Sequence, residues 1–324
     1  MSYSTDPSFR IPISTPFDLG LTLRSGQAFR WRVYGGAALQ YRRRAMTCRT
    51  GEPTPHASKS ADNPETSYCG VIGQHAVVVA QRGDFLEVHL DEAVSHDAGQ
   101  VATRVSQYFA FDEDQAAIER ELASTHPVLG EMIRRKPGLR ILRQEPWECL
   151  SSFILSAHNN IPAIERTVEA LCDALGRQSG FRRNTYPSPE AVLRGGEQTL
   201  RNARCGFRAK YLAAAAEKIL SGEVLLSDLE SLSTPVARSE LMRLPGVGRK
   251  VADCVLLFAY HRLETFPVDV WVKRAMARLY PETERMDAKR VAEEGERRFG
   301  RYAGYAQEYL YWFERAGVLE NITG

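Results

Sequence analysis

A lysine beside a glycine-rich turn is the first feature of this sequence that could do chemistry. The turn Leu-Pro-Gly-Val-Gly occupies residues 244–248 between two helical patterns, and Lys250 lies in the first turn of the second helix. Gly246 and Gly248 allow a left-handed backbone and the close approach of a ligand. The first amides of the second helix point outward with the helix dipole behind them. The turn therefore predicts a phosphate-binding device that reads no sequence; a simple connection between two helices is the alternative.

The surroundings of Lys250 favour a nucleophilic amine. Val251, Cys254, Val255 and Phe258 recur at helical spacing and form the packed stripe of the second helix. Lys250 lies four residues before Cys254 and shares its side of the helix. Partial desolvation and the positive helix N-terminus both favour the neutral amine, which is the nucleophilic form. A phosphate contact made by the ammonium explains this lysine equally well.

A carboxylate follows the lysine at residue 269. Pro267 disfavours helix before it, and Asp269 is placed to cap the N-terminus of the next helix. Capping alone would explain an aspartate here. A carboxylate anchored in this way could also stabilise a cation or accept a proton.

The elements that must position these groups change character along the chain. The first third is β-rich, with strands predicted at residues 26–34, 70–73, 76–80 and 85–90 and a mobile loop at 49–66. From about residue 115 the pattern is helical. Predicted helices run from 147 to 157, from Pro162 to Gly176, from 211 to 220, and from a Thr234 N-cap to 244. The fold class is α+β, a small antiparallel sheet domain followed by a helical domain.

Length and composition exclude several protein classes. The chain has 324 residues and a net charge of +2, with 44% hydrophobic and 25% charged residues, a globular balance. No apolar run approaches the roughly 20 residues that cross a bilayer, so we expect no membrane contact. The N-terminus has no basic region followed by an apolar stretch. We therefore expect an intracellular, not secreted, protein: cytoplasmic or nucleoid in a prokaryote, nuclear in a eukaryote.

The six cysteines give no sign of a metal centre. No two of them form a Cys-x-x-Cys pair, and the last is Cys254. Zinc sites and iron–sulfur clusters are therefore poorly supported. We expect scattered reduced thiols and no required cofactor.

The small net charge hides a segregation of charge. Residues 1–120 carry 12 basic and 14 acidic groups, whereas residues 131–215 carry 14 basic and 8 acidic groups. Residues 243–274, which hold the turn, Lys250 and Asp269, carry 6 basic and 3 acidic groups. The average charge therefore does not argue against a polyanionic partner.

Four blocks of the sequence resemble the 8-oxoguanine DNA glycosylase family, in the lysine-bearing branch of the helix-hairpin-helix superfamily. They are the turn with Lys250 and Asp269, SGQAFRW at 25–31, LRQEPWECLSSFILS at 142–156, and YAGYAQ at 302–307. The similarity extends over nearly the whole chain.

The resemblance implies a domain organisation and an activity. It implies an N-terminal antiparallel sheet (TBP-like) domain at 1–120 and a helical glycosylase domain at 121–324, with the helix-hairpin-helix at 235–260. The enzyme would be a bifunctional glycosylase and lyase of base excision repair, acting as a monomer on duplex DNA with a flipped lesion base. Lys250 would attack C1′ and form a Schiff base, with β-elimination to follow, and Asp269 would stabilise the transition state.

The resemblance also assigns a base pocket. The Gly26 carbonyl would accept a hydrogen bond from N7–H, which 8-oxoguanine has and guanine lacks. Gln307 would read the Watson–Crick edge, and Cys254 and Tyr311 would sandwich the base. The alternatives are a strand glycine, an exposed glutamine and ordinary core residues.

The remaining residues implied by the resemblance would contact DNA. Asn159 or Asn160 would contact the orphaned cytosine, Phe207 would be a wedge beside it, and Arg208 would read it. Phe207 could equally be a core residue. Phosphate and other DNA contacts would come from a further set of residues: His158, Gly246, Gly248, Arg249 and Trp271. The hairpin carbonyls would provide a site for a monovalent cation, and the resemblance implies no other metal.

Three positions depart from the animal enzymes of this family. Ala163 stands where they carry a second cytosine-reading arginine, so we expect weaker discrimination of the opposite base. Trp271 stands where they have a phosphate-contacting histidine. His158 stands where they have an asparagine, in the segment that the resemblance places at the vacated stack.

Two other functions compete with this interpretation. An alkylated-base glycosylase of the 3-methyladenine type shares the sheet domain and the aspartate, but it uses water rather than a lysine. A non-catalytic helix-hairpin-helix DNA-binding protein would contain the same turn without the chemistry.

Overall fold

The computed structural model describes residues 8–35, 66–91 and 98–323. The first five strands are β1 (Ser8–Pro12), β2 (Arg32–Tyr34), β3 (Ser67–Ile72), β4 (His75–Arg82) and β5 (Phe85–Leu90). They form one antiparallel sheet in the order β1-β5-β4-β3-β2. The three strands predicted between residues 70 and 90 are confirmed, and Gly73 and Gly83 both adopt positive φ in the tight turns between them. Residues 49–65 of the predicted loop lie outside the described residues.

The predicted strand at residues 26–34 is wrong for most of its length, because only residues 32–34 pair with β3. Its alternating apolar residues do not face one sheet surface. Phe29 packs into the core of the helical domain, whereas Trp31 packs into the core beneath the sheet. The segment therefore connects the two cores. Its apolar residues alternate because some are buried in one core and some in the other.

Helices dominate the rest of the chain, as predicted. They are α1 (Leu19–Arg24), α2 (Ala98–Tyr108), α3 (Gln115–Thr125), α4 (Pro127–Arg135), α5 (Pro146–Leu155), α6 (Ile161–Leu175), α7 (Pro189–Asn202), α8 (Ala209–Leu220), α9 (Thr234–Met242), α10 (Arg249–Phe258), α11 (Val270–Leu279), α12 (Ala288–Phe299), α13 (Ala303–Arg315) and α14 (Glu320–Thr323). A small hairpin, β6 (Gln178–Gly180) and β7 (Arg183–Asn184), follows α6. The α+β order is confirmed, and the boundary predicted at residue 120 falls inside α3.

The predicted helix ends are mostly confirmed. Pro162 lies in the first turn of α6, and Gly176 follows its last residue. The N-cap of α9 is Ser233 rather than Thr234, so that prediction is wrong. Thr234 is the first residue of the helix itself, and its hydroxyl donates to the Glu264 carboxylate.

Helix α10, which carries Lys250, is the centre of the helical domain. The predicted stripe is buried, and so is every other residue from 251 to 258. The helix packs against both α5 and α9. Lys250 is therefore attached to one of the most firmly packed elements in the molecule.

A buried ion network joins the segment before β2 to the helical domain. Arg30 and Arg183 have side chains that are 3% and 2% exposed, and both contact Glu169 on α6. The distances to Glu169 Oε1 are 3.3 Å from Arg30 Nε and 2.9 Å from Arg183 Nη2. Arg183 Nη2 also donates to the Arg30 carbonyl at 2.8 Å. The network fixes the connection between α1 and β2 that carries Gly26.

Removing Glu169 is expected to destabilise the protein strongly. In Glu169→Ala two buried guanidinium groups lose their shared carboxylate, so the free energy of unfolding should fall by about 3 kcal/mol. Glu131→Ala, which breaks ion pairs with the more exposed Arg134 and Arg135, should cost less than about 1 kcal/mol. Urea denaturation measures both values, and equal losses would contradict the assigned role of Glu169.

Four buried cysteines, Cys149, Cys172, Cys205 and Cys254, are free thiols. Cys69 is disulfide-bonded, so the expectation of reduced thiols throughout is wrong. Within the described ranges no helix combines the length and apolar character needed to cross a bilayer.

Candidate active site

A cleft of about 810 Å³ opens between the segment before β2 and the helical domain. Residues from six separate parts of the chain line it. Among them are ten residues predicted from the sequence: Gly26, His158, Asn159, Asn160, Lys250, Cys254, Asp269, Trp271, Gln307 and Tyr311. The two candidate catalytic groups and the four candidate base-pocket residues therefore share one cavity.

Lys250 lies over a group of packed aromatic rings. Its Nζ is 4.8 Å from the centroid of the Phe153 ring on α5. Phe153 is stacked on Phe258, with centroids 5.6 Å apart, and meets Phe29 edge to face. The half-buried lysine is thus held by a rigid apolar surface from which water is partly excluded. Sequence reasoning missed Phe153, which appeared only as one apolar residue of a buried helix.

Asp269 caps α11, as predicted. Its Oδ1 accepts hydrogen bonds from the amides of Trp271 and Val272, both at 2.9 Å. Two backbone donors on one oxygen fix the carboxylate at the edge of the cleft. The capping role and the proposed catalytic role are therefore compatible, since the cap places the charge where the cleft can use it.

Gly26 and Tyr311 are in contact across the cleft. Gly26 has φ of +100°, and a Cβ there would lie 3.0 Å from Tyr311 Cε1 and 3.1 Å from the Tyr311 hydroxyl. A larger residue would strain the backbone and displace the ring. Glycine is therefore needed here both for its positive φ and for the space beside Tyr311. A glycine in an ordinary strand would face neither requirement.

Cys254 and Gln307 also line the cleft, and they are 3% and 4% exposed. Burial raises the pKa of the Cys254 thiol to about 12, and the nearby Lys250 ammonium opposes that rise. Cys254 is consequently a neutral thiol at physiological pH. The alternative that Gln307 is an exposed glutamine is wrong.

Gln27 holds Gly26 in place and was missed by sequence reasoning. Its Nε2 donates to the Thr22 carbonyl at 3.1 Å and the Arg140 carbonyl at 2.8 Å, and its Oε1 accepts from the Leu142 amide at 2.7 Å. The side chain is fully buried. The signal that could have found it is a glutamine directly before the apolar pair Ala28-Phe29.

A second group of predicted residues lies beside the cleft. Phe207 is 46% exposed, which excludes the alternative of a core residue. Its ring lies 6.5 Å from that of His158 and 6.3 Å from that of Tyr211, centroid to centroid. Arg208 donates to the carbonyls of Ala157 at 2.6 Å and His158 at 3.0 Å. Arg208 thus supports the turn at 157–160, and its reading of a cytosine stays a prediction.

The turn at 244–248 is exposed at both glycines, but only Gly246 has positive φ, at +81°. A Cβ on Gly246 would lie 2.9 Å from Tyr211 Cβ, so the turn packs on the residue that also contacts Phe207. Gly248 is extended, caps α10, and would place a Cβ in open space. Its lack of a side chain leaves the amides of α10 accessible, which suits phosphate binding.

Arg249 is engaged by carboxylates within the protein. Its guanidinium lies 3.3 Å from Asp253, 3.1 Å from Glu293 and 3.3 Å from Glu296. Its contact with DNA stays a prediction. No group of three or more His, Cys, Asp or Glu side chains within the described parts of the chain could hold a metal ion, and the monovalent cation at the hairpin also stays a prediction.

Comparison with known proteins identifies the family. Residues 10–150 match the 8-oxoguanine DNA glycosylase N-terminal domain, and residues 151–301 match the HhH-GPD superfamily of base excision DNA repair proteins. The N-glycosylase/DNA lyase OGG1 of Arabidopsis thaliana is 30% identical over 316 residues, covering 92% of this chain and 77% of that protein.

Solved structures match over nearly the whole chain. MBOgg1, in complex with a low-affinity DNA ligand, is 33% identical with a TM-score of 0.79 over 97% of both chains. The Clostridium acetobutylicum 8-oxoguanine glycosylase/lyase, in complex with double-stranded DNA containing cytosine opposite 8-oxoG, is 29% identical. Its TM-score is 0.79 over 98% of this chain and 97% of that one. The chain therefore belongs to the 8-oxoguanine DNA glycosylase family and is a DNA N-glycosylase with DNA lyase activity.

Proposed function

We propose that the protein excises 8-oxoguanine from duplex DNA through attack by Lys250 and then cleaves the strand by β-elimination. One observation carries the proposal. Lys250 and Asp269 line the same cleft as Gly26, Cys254, Gln307 and Tyr311. A nucleophile, a fixed carboxylate and a partly apolar pocket large enough for a purine are therefore side by side.

The chemistry begins with the Lys250 amine, which attacks through its nitrogen lone pair. Its nitrogen bonds to C1′ of the deoxyribose while the base leaves with the electron pair of the glycosidic bond and takes up a proton. The positive charge that develops on the sugar is stabilised by the fixed carboxylate of Asp269. Opening of the sugar ring gives a Schiff base between Nζ and C1′. Loss of a proton from C2′ then expels the 3′ phosphate and nicks the strand.

Selection of the base rests on the Gly26 carbonyl. 8-Oxoguanine carries a proton on N7, which the carbonyl can accept as a hydrogen bond. Guanine presents a lone pair on N7, which the carbonyl oxygen repels. Gly26 and Tyr311 lie close together in the lining of the cleft. Cys254 and Tyr311 would enclose the base faces, and Gln307 would read the Watson–Crick edge.

The surface beside the cleft suits a bent duplex with one base extruded. Exposed Phe207 lies between His158 and Tyr211, where it could enter the helix as a wedge. The turn at 244–248 would bind the backbone through its amides. We expect the enzyme to act as a monomer, since one chain supplies all of these groups.

A panel of lesions tests this assignment. Base release should be measured under single-turnover conditions on matched duplexes that carry 8-oxoguanine, 3-methyladenine or guanine. We expect release of 8-oxoguanine to exceed the other two by at least about a hundredfold, the scale of discrimination by a hydrogen-bonding site. Faster release of 3-methyladenine would instead support the alkylated-base alternative.

The opposite base should be read only weakly. Ala163 offers no side-chain donor, and its amide is used in capping α6, where it donates to Asn160 Oδ1 at 3.0 Å. We therefore expect cleavage opposite cytosine to exceed cleavage opposite adenine, guanine or thymine by less than about a hundredfold, the scale of one good bidentate contact. Single-turnover rates on the four duplexes measure this ratio, and a larger preference for cytosine would contradict the expectation.

A further inference from the structure

Two adjacent side chains of α13 bring unsatisfied oxygen atoms to the cleft. Gln307 and Glu308 both line it and are only 4% and 2% exposed. Within the described parts of the chain, Gln307 Oε1 and Glu308 Oε2 are buried without a hydrogen-bond partner. Buried polar atoms are nearly always paired. Two orphaned atoms in one wall therefore point to a polar edge of the molecule that fills the cleft, and the base pocket described above gives Glu308 no role.

Glu308 is a neutral acid at physiological pH. Burial raises the pKa of its carboxyl to about 8, and the Asp269 carboxylate adds to the rise, while Ser25, Lys250 and Arg315 oppose it. A protonated carboxyl has one O–H donor besides its acceptor oxygen. A carboxylic acid kept neutral by an apolar site is a known means of placing such a donor in an active site.

The position of Glu308 indicates which atom it would meet. It interacts with Ser25, which precedes Gly26, and it follows Gln307 along the chain. Around the edge of a guanine ring, the oxygen on C6 lies between N7 and N1. Gly26 is assigned to N7 and Gln307 to the Watson–Crick edge. That oxygen, which is an acceptor, is therefore left for the other unsatisfied group that lines the same cleft, Glu308.

We propose that Glu308 is a specificity-determining residue that donates a hydrogen bond from its protonated carboxyl to the C6 oxygen of flipped 8-oxoguanine. The inference rests on the proposed function, because it requires 8-oxoguanine in the cleft. It assigns no step of bond making or breaking to Glu308. The lyase reaction at an abasic site, where no base is present, should therefore not depend on this residue.

Two variants of similar size separate the donor from the packing. Glu308→Leu removes the donor, whereas Glu308→Gln keeps an N–H donor. On 8-oxoguanine opposite cytosine at pH 7, Glu308→Leu should lose about tenfold to a hundredfold in single-turnover excision and Glu308→Gln less than about threefold. On a duplex with an abasic site, both should cleave within about twofold of wild type. Comparable loss on the two substrates would mean that Glu308 acts only through packing, and the inference would be overturned.

The dependence on pH gives an independent readout. The protonated form is the active one and the pKa is about 8, so wild-type excision should fall as the pH rises through 8. Glu308→Gln should lack that decline, and identical profiles would overturn the inference. The wild-type protein distinguishes a failure of the proposed function from a failure of the Glu308 inference. If wild type cleaves at abasic sites but does not release 8-oxoguanine, both are refuted. Normal release by wild type and Glu308→Leu alike refutes the inference alone.

Discussion

Lys250→Gln is expected to lower single-turnover release of 8-oxoguanine by at least about a thousandfold. The amide nitrogen of glutamine is not a nucleophile, while its size and polarity suit the half-buried position over Phe153. Thermal denaturation should therefore show little change in stability. Release of the base and cleavage of the strand should be followed separately, because attack on C1′ and Schiff-base formation both need the amine.

Lys210→Gln is the matched control for this change. Lys210 also lies over an aromatic ring, with its Nζ 5.0 Å from the Tyr211 centroid, but it is exposed and outside the cleft. The two variants lose the same charge, and each lysine lies in a segment with an excess of basic residues, 131–215 for Lys210 and 243–274 for Lys250. We expect Lys210→Gln to retain activity within about threefold. Equal losses in the two variants would show that Lys250 acts through charge alone.

Asp269→Asn should separate capping from catalysis. Asparagine caps helices about as well as aspartate, so the free energy of unfolding should change by less than about 1 kcal/mol. The negative charge that stabilises the developing cation is lost, so excision of 8-oxoguanine should slow by about a hundredfold to a thousandfold. Single-turnover kinetics and urea denaturation on the same preparation measure the two effects.

Asp287→Asn is the matched control, because Asp287 also caps a helix but lies outside the cleft. Asp287 caps α12 through an Oδ1 that accepts from the Arg290 amide at 2.8 Å, and it does not line the cleft. We expect unchanged excision in this variant. A loss of activity in Asp269→Asn no larger than in Asp287→Asn would show that Asp269 serves only as a cap.

Local patterns made part of this site predictable from the sequence. The turn at 244–248 and the cap at Asp269 are specified by neighbouring residues, so they could be placed without knowing the fold. The same holds for the tight turns at Gly73 and Gly83. The assignment of Gly26, Gln307 and Tyr311 to one pocket needed the family resemblance, because their separation along the chain says nothing about distance in space.

Other features depend on contacts that no local pattern encodes. The alternation at residues 26–31 predicts a strand, but Phe29 and Trp31 enter different cores. Gln27 is recognisable as a positioning residue only when its partners at Arg140 and Leu142 are known. Glu308 looks like a surface glutamate in sequence, yet α13 turns it into the cleft. Tertiary packing determined the environment in each case.

Trapping of the covalent intermediate tests the central claim most directly. Wild-type protein should be mixed with a duplex containing 8-oxoguanine in the presence of borohydride, which reduces a Schiff base to a stable amine. The account predicts a covalent protein–DNA adduct that maps to Lys250 and is absent from Lys250→Gln. Efficient release of the base without an adduct, or an adduct that persists in Lys250→Gln, would contradict it.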